Sequence, residues 1–192
     1  MNTIFKQNGG TCTLFACLNS LEQTKQLPLH SEEVYDFIKE NNLEMSDGLK
    51  PIKLFNKLKL REFAGHKLTS FEVLYNTGLL SSMIYNKQKT LDKIKQTIKE
   101  GKKGVLFGLY DSPDGFPLDK AYFLKDRAIS KTGGHLVYVA GVMKDKKTHK
   151  TVFRVENSWG EKWGDKGFFY IEEKDLFYQV GNVYALEWRA TS

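Results

Sequence analysis

Arg154-Val155-Glu156-Asn157-Ser158-Trp159-Gly160 decides the reading of this chain. Arg154-Val155 reads as the end of an extended segment, and Gly160 imposes a turn. Asn157 therefore leaves the end of a strand, two residues before an indole. An amide in that place suits a group that holds another side chain still beneath an apolar cover. The side chain that most often needs such holding is a histidine serving a cysteine or serine.

The chain supplies both partners. His135 stands in Gly133-Gly134-His135-Leu136, at the head of an apolar run, and Cys12 ends Gln7-Asn8-Gly9-Gly10-Thr11-Cys12. His135 follows Cys12 by 123 residues and Asn157 follows it by 145. A cysteine near the N-terminus with histidine and asparagine far downstream is a recognised pattern of nucleophilic catalysis. Cys12 falls in the first turn of an expected helix, where unpaired N–H groups and the helix dipole favour a thiolate.

These segments together resemble the papain-like (C1) cysteine peptidases, and the Val-Glu-Asn-Ser-Trp-Gly run is closest to the bleomycin hydrolase and aminopeptidase C branch. Trp163-Gly164-Asp165-Lys166-Gly167-Phe168 extends the resemblance. It implies a thiol peptidase working through Cys12, His135 and Asn157 and an acyl-enzyme. Gln7 would complete the oxyanion hole with the backbone N–H of Cys12. Asp47, Gly48, Gly10, Gly134 and Trp159 are the positions it implies for substrate binding, and Trp159 would also cover the His135–Asn157 bond. There are two departures. Gln7 stands five residues before the cysteine where the family has six, and Thr13 replaces the aromatic that usually follows the nucleophile. Only six residues precede Gln7, which leaves no room here for an inhibitory propeptide: either control is exercised otherwise, or the propeptide was removed, or the chain is a fragment.

The resemblance implies an α+β, two-lobed fold in which a helical N-terminal lobe and an antiparallel β lobe meet at a cleft. The expected organisation is one domain over 1–192, helical to about residue 85 and β-rich from about 86. Apolar periodicity predicts helices over Thr11–Lys25 (Leu14, Phe15, Leu18 and Leu21 on one face), from Ser31 as N-cap, from Pro51 (Ile52, Leu54, Phe55, Leu58), and from Thr90 as cap to Gly101. Strands are expected over 105–110, 135–143, 151–156, 167–172 and 183–189. Ser46-Asp47-Gly48 and Asp111 to Gly115 are turn signals, and residues 60–85 carry no decisive period.

Length and composition set the remaining bounds. At 192 residues, with 41% hydrophobic and 13% aromatic content, the chain is an ordinary globular protein. The net charge is +6, concentrated in the lysines between Lys87 and Lys103. A polyanion-binding patch is one reading of them. No aromatic residues interleave, so a solvated helix face is the better one, and nucleic acid is not an expected partner. Cys12 and Cys17 on one helix would lie roughly 8–9 Å apart and point about 140° away from each other, beyond disulfide reach. Cys17 falls inside the helix and reads as structural. With neither a disulfide nor a targeting or membrane-spanning segment, a cytoplasmic setting is expected.

No cofactor or metal is expected. Cys12-x4-Cys17 lacks ligand spacing, and His30, His66 and His149 are scattered surface or loop positions. Gly9-Gly10-Thr11 lacks the lysine of a phosphate loop. The expected partner is a peptide or protein substrate. The competing reading within the same fold is a catalytically altered protein, acting as a peptide-binding module or an acyl-transfer enzyme.

Overall fold

The computed structural model describes residues 11–43, 50–77, 86–110 and 134–191. Among them the elements run α1 (Cys12–Lys25), α2 (Ser31–Glu40), α3 (Pro51–Leu58), β1 (Glu62–Phe63), β2 (His66–Asn76), α4 (Lys87–Glu100), β3 (Gly104–Leu109), β4 (His135–Lys144), β5 (Thr151–Glu156), β6 (Phe168–Glu172), a 3-10 turn (Glu173–Asp175), α5 (Leu176–Gln179) and β7 (Val180–Ala190). The strands form one antiparallel sheet in the order β1-β2-β7-β3-β4-β5-β6.

Strand alternation gives the sheet two apolar faces. Leu106, Leu136, Tyr138, Tyr184, Leu186 and Trp188 point into the cluster shared with α1, α2 and α3. Val105, Phe107, Val137, Val139, Val183 and Ala185 belong to the opposite cluster, which Leu91 and Ile94 of α4 close. Residues 60–76, ambiguous in sequence, supply β1 and β2, and β2 pairs along β7. The stretch before residue 85 is thus not all helical.

α1 departs from the expected amphipathic stripe. Every residue from Thr13 to Glu22 is buried, because the helix is enclosed between the sheet and the other helices. It lies close against β3 at Gly104, where an added Cβ would lie 2.3 Å from the Ser20 Cβ. Ser20 is pinned in turn: its hydroxyl donates to the Cys17 carbonyl at 2.6 Å and accepts from Trp188 Nε1 at 2.8 Å.

Other boundaries shift modestly. His30, not Ser31, is the N-cap of α2, and the Glu33 carboxylate accepts from its backbone N–H at 3.3 Å. Asn86, not Thr90, caps α4 through the Lys89 N–H at 3.1 Å, and α4 ends at Gly101 in the left-handed region. Ile52 is exposed, whereas Leu54, Phe55 and Leu58 are buried. The expected turns at Ser46–Gly48 and Asp111–Gly115 lie outside the described residues. Lysines of the 87–103 stretch are engaged with acids: Lys93 and Lys103 with Glu72, and Lys95 with Asp92 and Glu173. This supports the solvated-face reading.

Gly104→Ala should therefore destabilise the protein by about 1–3 kcal/mol, as overpacking does, read as a lower urea midpoint. A Gly101→Ala control acts instead through its positive φ of 67°, with no neighbour within 4 Å of the added Cβ. An unchanged midpoint for Gly104→Ala would contradict the close approach of α1 to β3.

Candidate active site

Cys12 is the first residue of α1, and Thr11 precedes the helix, its carbonyl accepting from the N–H groups of Leu14 and Phe15 at 3.0 and 3.1 Å. His135 opens β4 and is almost fully buried. Asn157 follows the last residue of β5 and is completely buried. Its backbone N–H donates to the Gly167 carbonyl at 2.9 Å, which ties it to the turn entering β6. Within that turn Gly164 adopts φ 58°, and a Cβ there would meet the Phe168 carbonyl oxygen at 2.4 Å, so only glycine fits.

His135 Nε2 and Asn157 Oδ1 are 2.8 Å apart. The same Oδ1 accepts from the Ser158 backbone N–H at 2.9 Å. That second bond fixes which end of the amide faces the ring. Because the oxygen only accepts, Nε2 carries the proton, and Nδ1 is the nitrogen left for Cys12. The Trp159 ring lies 5.2 Å from the His135 ring, tilted by 34°, and is backed edge-on by Trp163 and then Phe169. The indole thus lies over the imidazole.

The two thiols are electrostatically opposite. Burial pushes Cys12 up. A hydrogen bond with His135, the His135 charge, the backbone of Leu136 and the Thr13 hydroxyl outweigh it and lower the thiol from 9.0 to about 7. Burial, and then the Cys12 charge, push Cys17 well above its ordinary value. Both cysteines are free.

A cleft of about 280 Å³ opens at Cys12. Thr13, Pro51, Leu109, Gly134 and His135 line it, and β7 contributes Asn182 and Tyr184. Of the positions expected to meet substrate, Gly134 lines the cleft, and Trp159 packs on His135 beside it. Glycine is not sterically required at Gly134, where a Cβ would reach only the Leu109 carbonyl oxygen at 3.7 Å. Gln7, Gly10, Asp47 and Gly48 lie outside the described residues. Sequence reasoning did not single out Leu109, Asn182 or Tyr184, which enter through the pairing of β3 and β7. The hydroxyl of Thr13, which stands where the family usually has an aromatic, lies 4.0 Å from the Cys12 sulfur. Among the described residues there is no group of three or more His, Cys, Asp or Glu able to hold a metal, and no helix long and apolar enough to cross a membrane.

A thiol at a helix N-terminus set against a histidine and asparagine on an antiparallel sheet defines a papain-like fold. Comparison with solved structures agrees. The chain is similar to digestive procathepsin L 3 of the Tenebrio molitor larval midgut (TM-score 0.66, 12% identity, covering 96% of this chain and 66% of that one). It is also similar to the bromelain protease of Ananas comosus in complex with the E64 inhibitor (TM-score 0.59, 14% identity, 96% and 93%). Residues 80–182 match the model of the Peptidase C1-like family, and the chain belongs to that family. Aminopeptidase G of Lactobacillus delbrueckii subsp. lactis is 36% identical over 77 residues, a match spanning 38% of this chain and 17% of that protein.

The geometry at Cys12 predicts how fast it is alkylated. Iodoacetamide should modify Cys12 with an apparent pKa of about 7 and leave Cys17 untouched in the folded protein. His135→Ala removes the lowering groups but not the burial, so the apparent pKa should rise to 9.0 or above. At pH 7 the rate would then fall roughly fifty-fold, the ratio of the thiolate fractions. An unchanged pH profile in His135→Ala would refute the pairing.

Proposed function

We propose that the protein is a thiol peptidase that hydrolyses peptide bonds through Cys12, His135 and Asn157. The observation that carries this reading is the thiol lowered to about 7 against a histidine whose far nitrogen is held by Asn157 Oδ1 at 2.8 Å. The Cys12 thiolate attacks the scissile carbonyl carbon. A C–S bond forms, and the carbonyl π pair moves onto oxygen. The backbone N–H of Cys12 at the helix start, with the Gln7 amide, receives that charge. As the C–N bond breaks, His135 Nδ1–H protonates the leaving amine. His135 then takes a proton from water, the hydroxide attacks the thioester, and the C–S bond breaks to restore the thiolate. Asn157 keeps the ring in one tautomer throughout, the part aspartate plays in serine enzymes. The main chain at Gly10, Asp47, Gly48 and Gly134 would hold the peptide in the cleft. Residues 1–192 act as one domain in this scheme, because α1 supplies the thiol and β4 and β5 supply its partners.

A library of internally quenched peptides, with free and with blocked N-termini, tests the reading and reports whether cleavage is internal or terminal. Wild type should cleave, Cys12→Ala should not, and His135→Ala should lose about 10²–10⁴-fold in kcat/KM. Selective alkylation of Cys12 with no cleavage of any peptide would favour a binding or acyl-transfer role instead. Cleavage that survives Cys12→Ala would reject Cys12 as the nucleophile.

A further inference from the structure

β3 and β7 build a polar wall on the cleft that the hydrolytic steps do not use. Gly108 of β3 pairs with Leu136 of β4 on one side and with Asn182 of β7 on the other. The missing side chain at Gly108 leaves room for the Asn182 amide: an added Cβ would lie 3.3 Å from the Asn182 Cβ and 3.6 Å from its Nδ2. Tyr184, on the same face of β7, lines the same cleft. Its ring packs edge-on against Phe55 of α3, with centroids 5.2 Å apart, which holds the phenol in place. Burial pushes the Tyr184 hydroxyl up, so it keeps its proton at neutral pH.

Lys50 lines the cleft from the start of α3, where it is the N-cap residue and Pro51 follows it. Its side chain makes no capping hydrogen bond, and the first turn of α3 carries no acidic residue. Among the described residues Lys50 has no ion pair. Neither the Asn182 amide nor the Tyr184 hydroxyl has a hydrogen-bond partner among them, and neither is sealed from solvent. No aspartate or glutamate stands among the described residues that line the cleft. The Cys12 thiolate is balanced by His135, so the Lys50 charge there is uncompensated. An amide and a phenol would suit any polar group. An ammonium only donates, and it narrows the fit to an acceptor that carries negative charge.

We propose that Lys50, Asn182 and Tyr184 form a carboxylate-reading subsite, so that the enzyme selects substrates with an aspartate or glutamate beside the scissile bond. This rests on the peptidase reading above and adds the substrate class to it. The side-chain carboxylate accepts from the ammonium, the amide and the hydroxyl. Pro51, Leu109 and Leu136, on the same cleft, suit its methylenes. A lysine or arginine in that place meets a like charge. A leucine takes water from the donors and gives them no acceptor in return.

Two assays separate this claim from the peptidase reading beneath it. The first measures kcat/KM on internally quenched peptides with amidated C-termini, carrying Glu, Gln, Leu or Lys at the positions flanking the cleaved bond. The second measures labelling of Cys12 by peptidyl epoxides bearing the same side chains, which requires no turnover. In both, Glu should exceed its isostere Gln by about fivefold, the upper end of what an exposed ion pair gives, and the excess should shrink with added salt. Lys50→Gln should bring Glu down to Gln, Lys50→Glu should invert the order in favour of Lys, and Asn182→Leu should move the preference toward Leu. Lys50 is exposed, so its replacements should leave the urea midpoint unchanged. Equal rates on Glu and Gln, or a Glu preference that survives Lys50→Gln, would overturn the subsite even where peptides are cleaved. Glu-selective labelling that is lost in Lys50→Gln, without cleavage of any peptide, would uphold the subsite and reject hydrolysis. A folded protein that neither cleaves nor is labelled by any probe would overturn both.

Discussion

The burial of α1 between the helical layer and the sheet is the constraint on which the site depends. A helix exposed on one side could slide or tilt. α1 is enclosed from Thr13 to Glu22, and its approach to β3 is set by the missing side chain at Gly104. The Trp188–Ser20 bond ties the same turn to β7. With its body fixed, the helix has one place to present its first residue, and that place faces the start of β4. The thiolate then gains from His135, from the Leu136 backbone and from the Thr13 hydroxyl, and these outweigh the burial that would otherwise keep the thiol protonated.

Strand alternation does the rest of the positioning. At the start of β4, Leu136 and Tyr138 point towards α1, while Val137 and Val139 join the opposite cluster. β5 divides its side chains in the same way. The sheet thus delivers a histidine to the cleft and a fully buried amide to the histidine's far side. Trp159 lies tilted over the histidine, Trp163 and Phe169 back it in successive edge-on contacts, and both His135 and Asn157 are buried. A dry hydrogen bond of this kind holds the ring more firmly than a solvated one.

Much of this was legible in the chain. The Asn157–Trp159 spacing, His135 at the head of an apolar run and Cys12 after two glycines carry the site in residue types that few structural roles require together. β5 and the bounds of β4 follow from apolar runs. β2 was not legible, because its burial alternates irregularly and its pairing with β7 slips between Leu68 and Ser70 and again between Val73 and Tyr75, which breaks the period of two. The full burial of α1 was hidden by Asn19, Ser20 and Glu22, polar residues that sequence patterning places on a solvent face.

The central claim is that Cys12 forms and then loses a covalent bond to the acyl group of a substrate. Rapid mixing with an activated peptide ester, followed by acid quenching and mass analysis of the digested protein, tests it most directly. The account predicts a transient acyl adduct on Cys12 that decays to free enzyme and carboxylic acid, with no adduct on Cys17. A folded protein that acquires no acyl group at Cys12, or one that keeps it without turnover, would contradict the account.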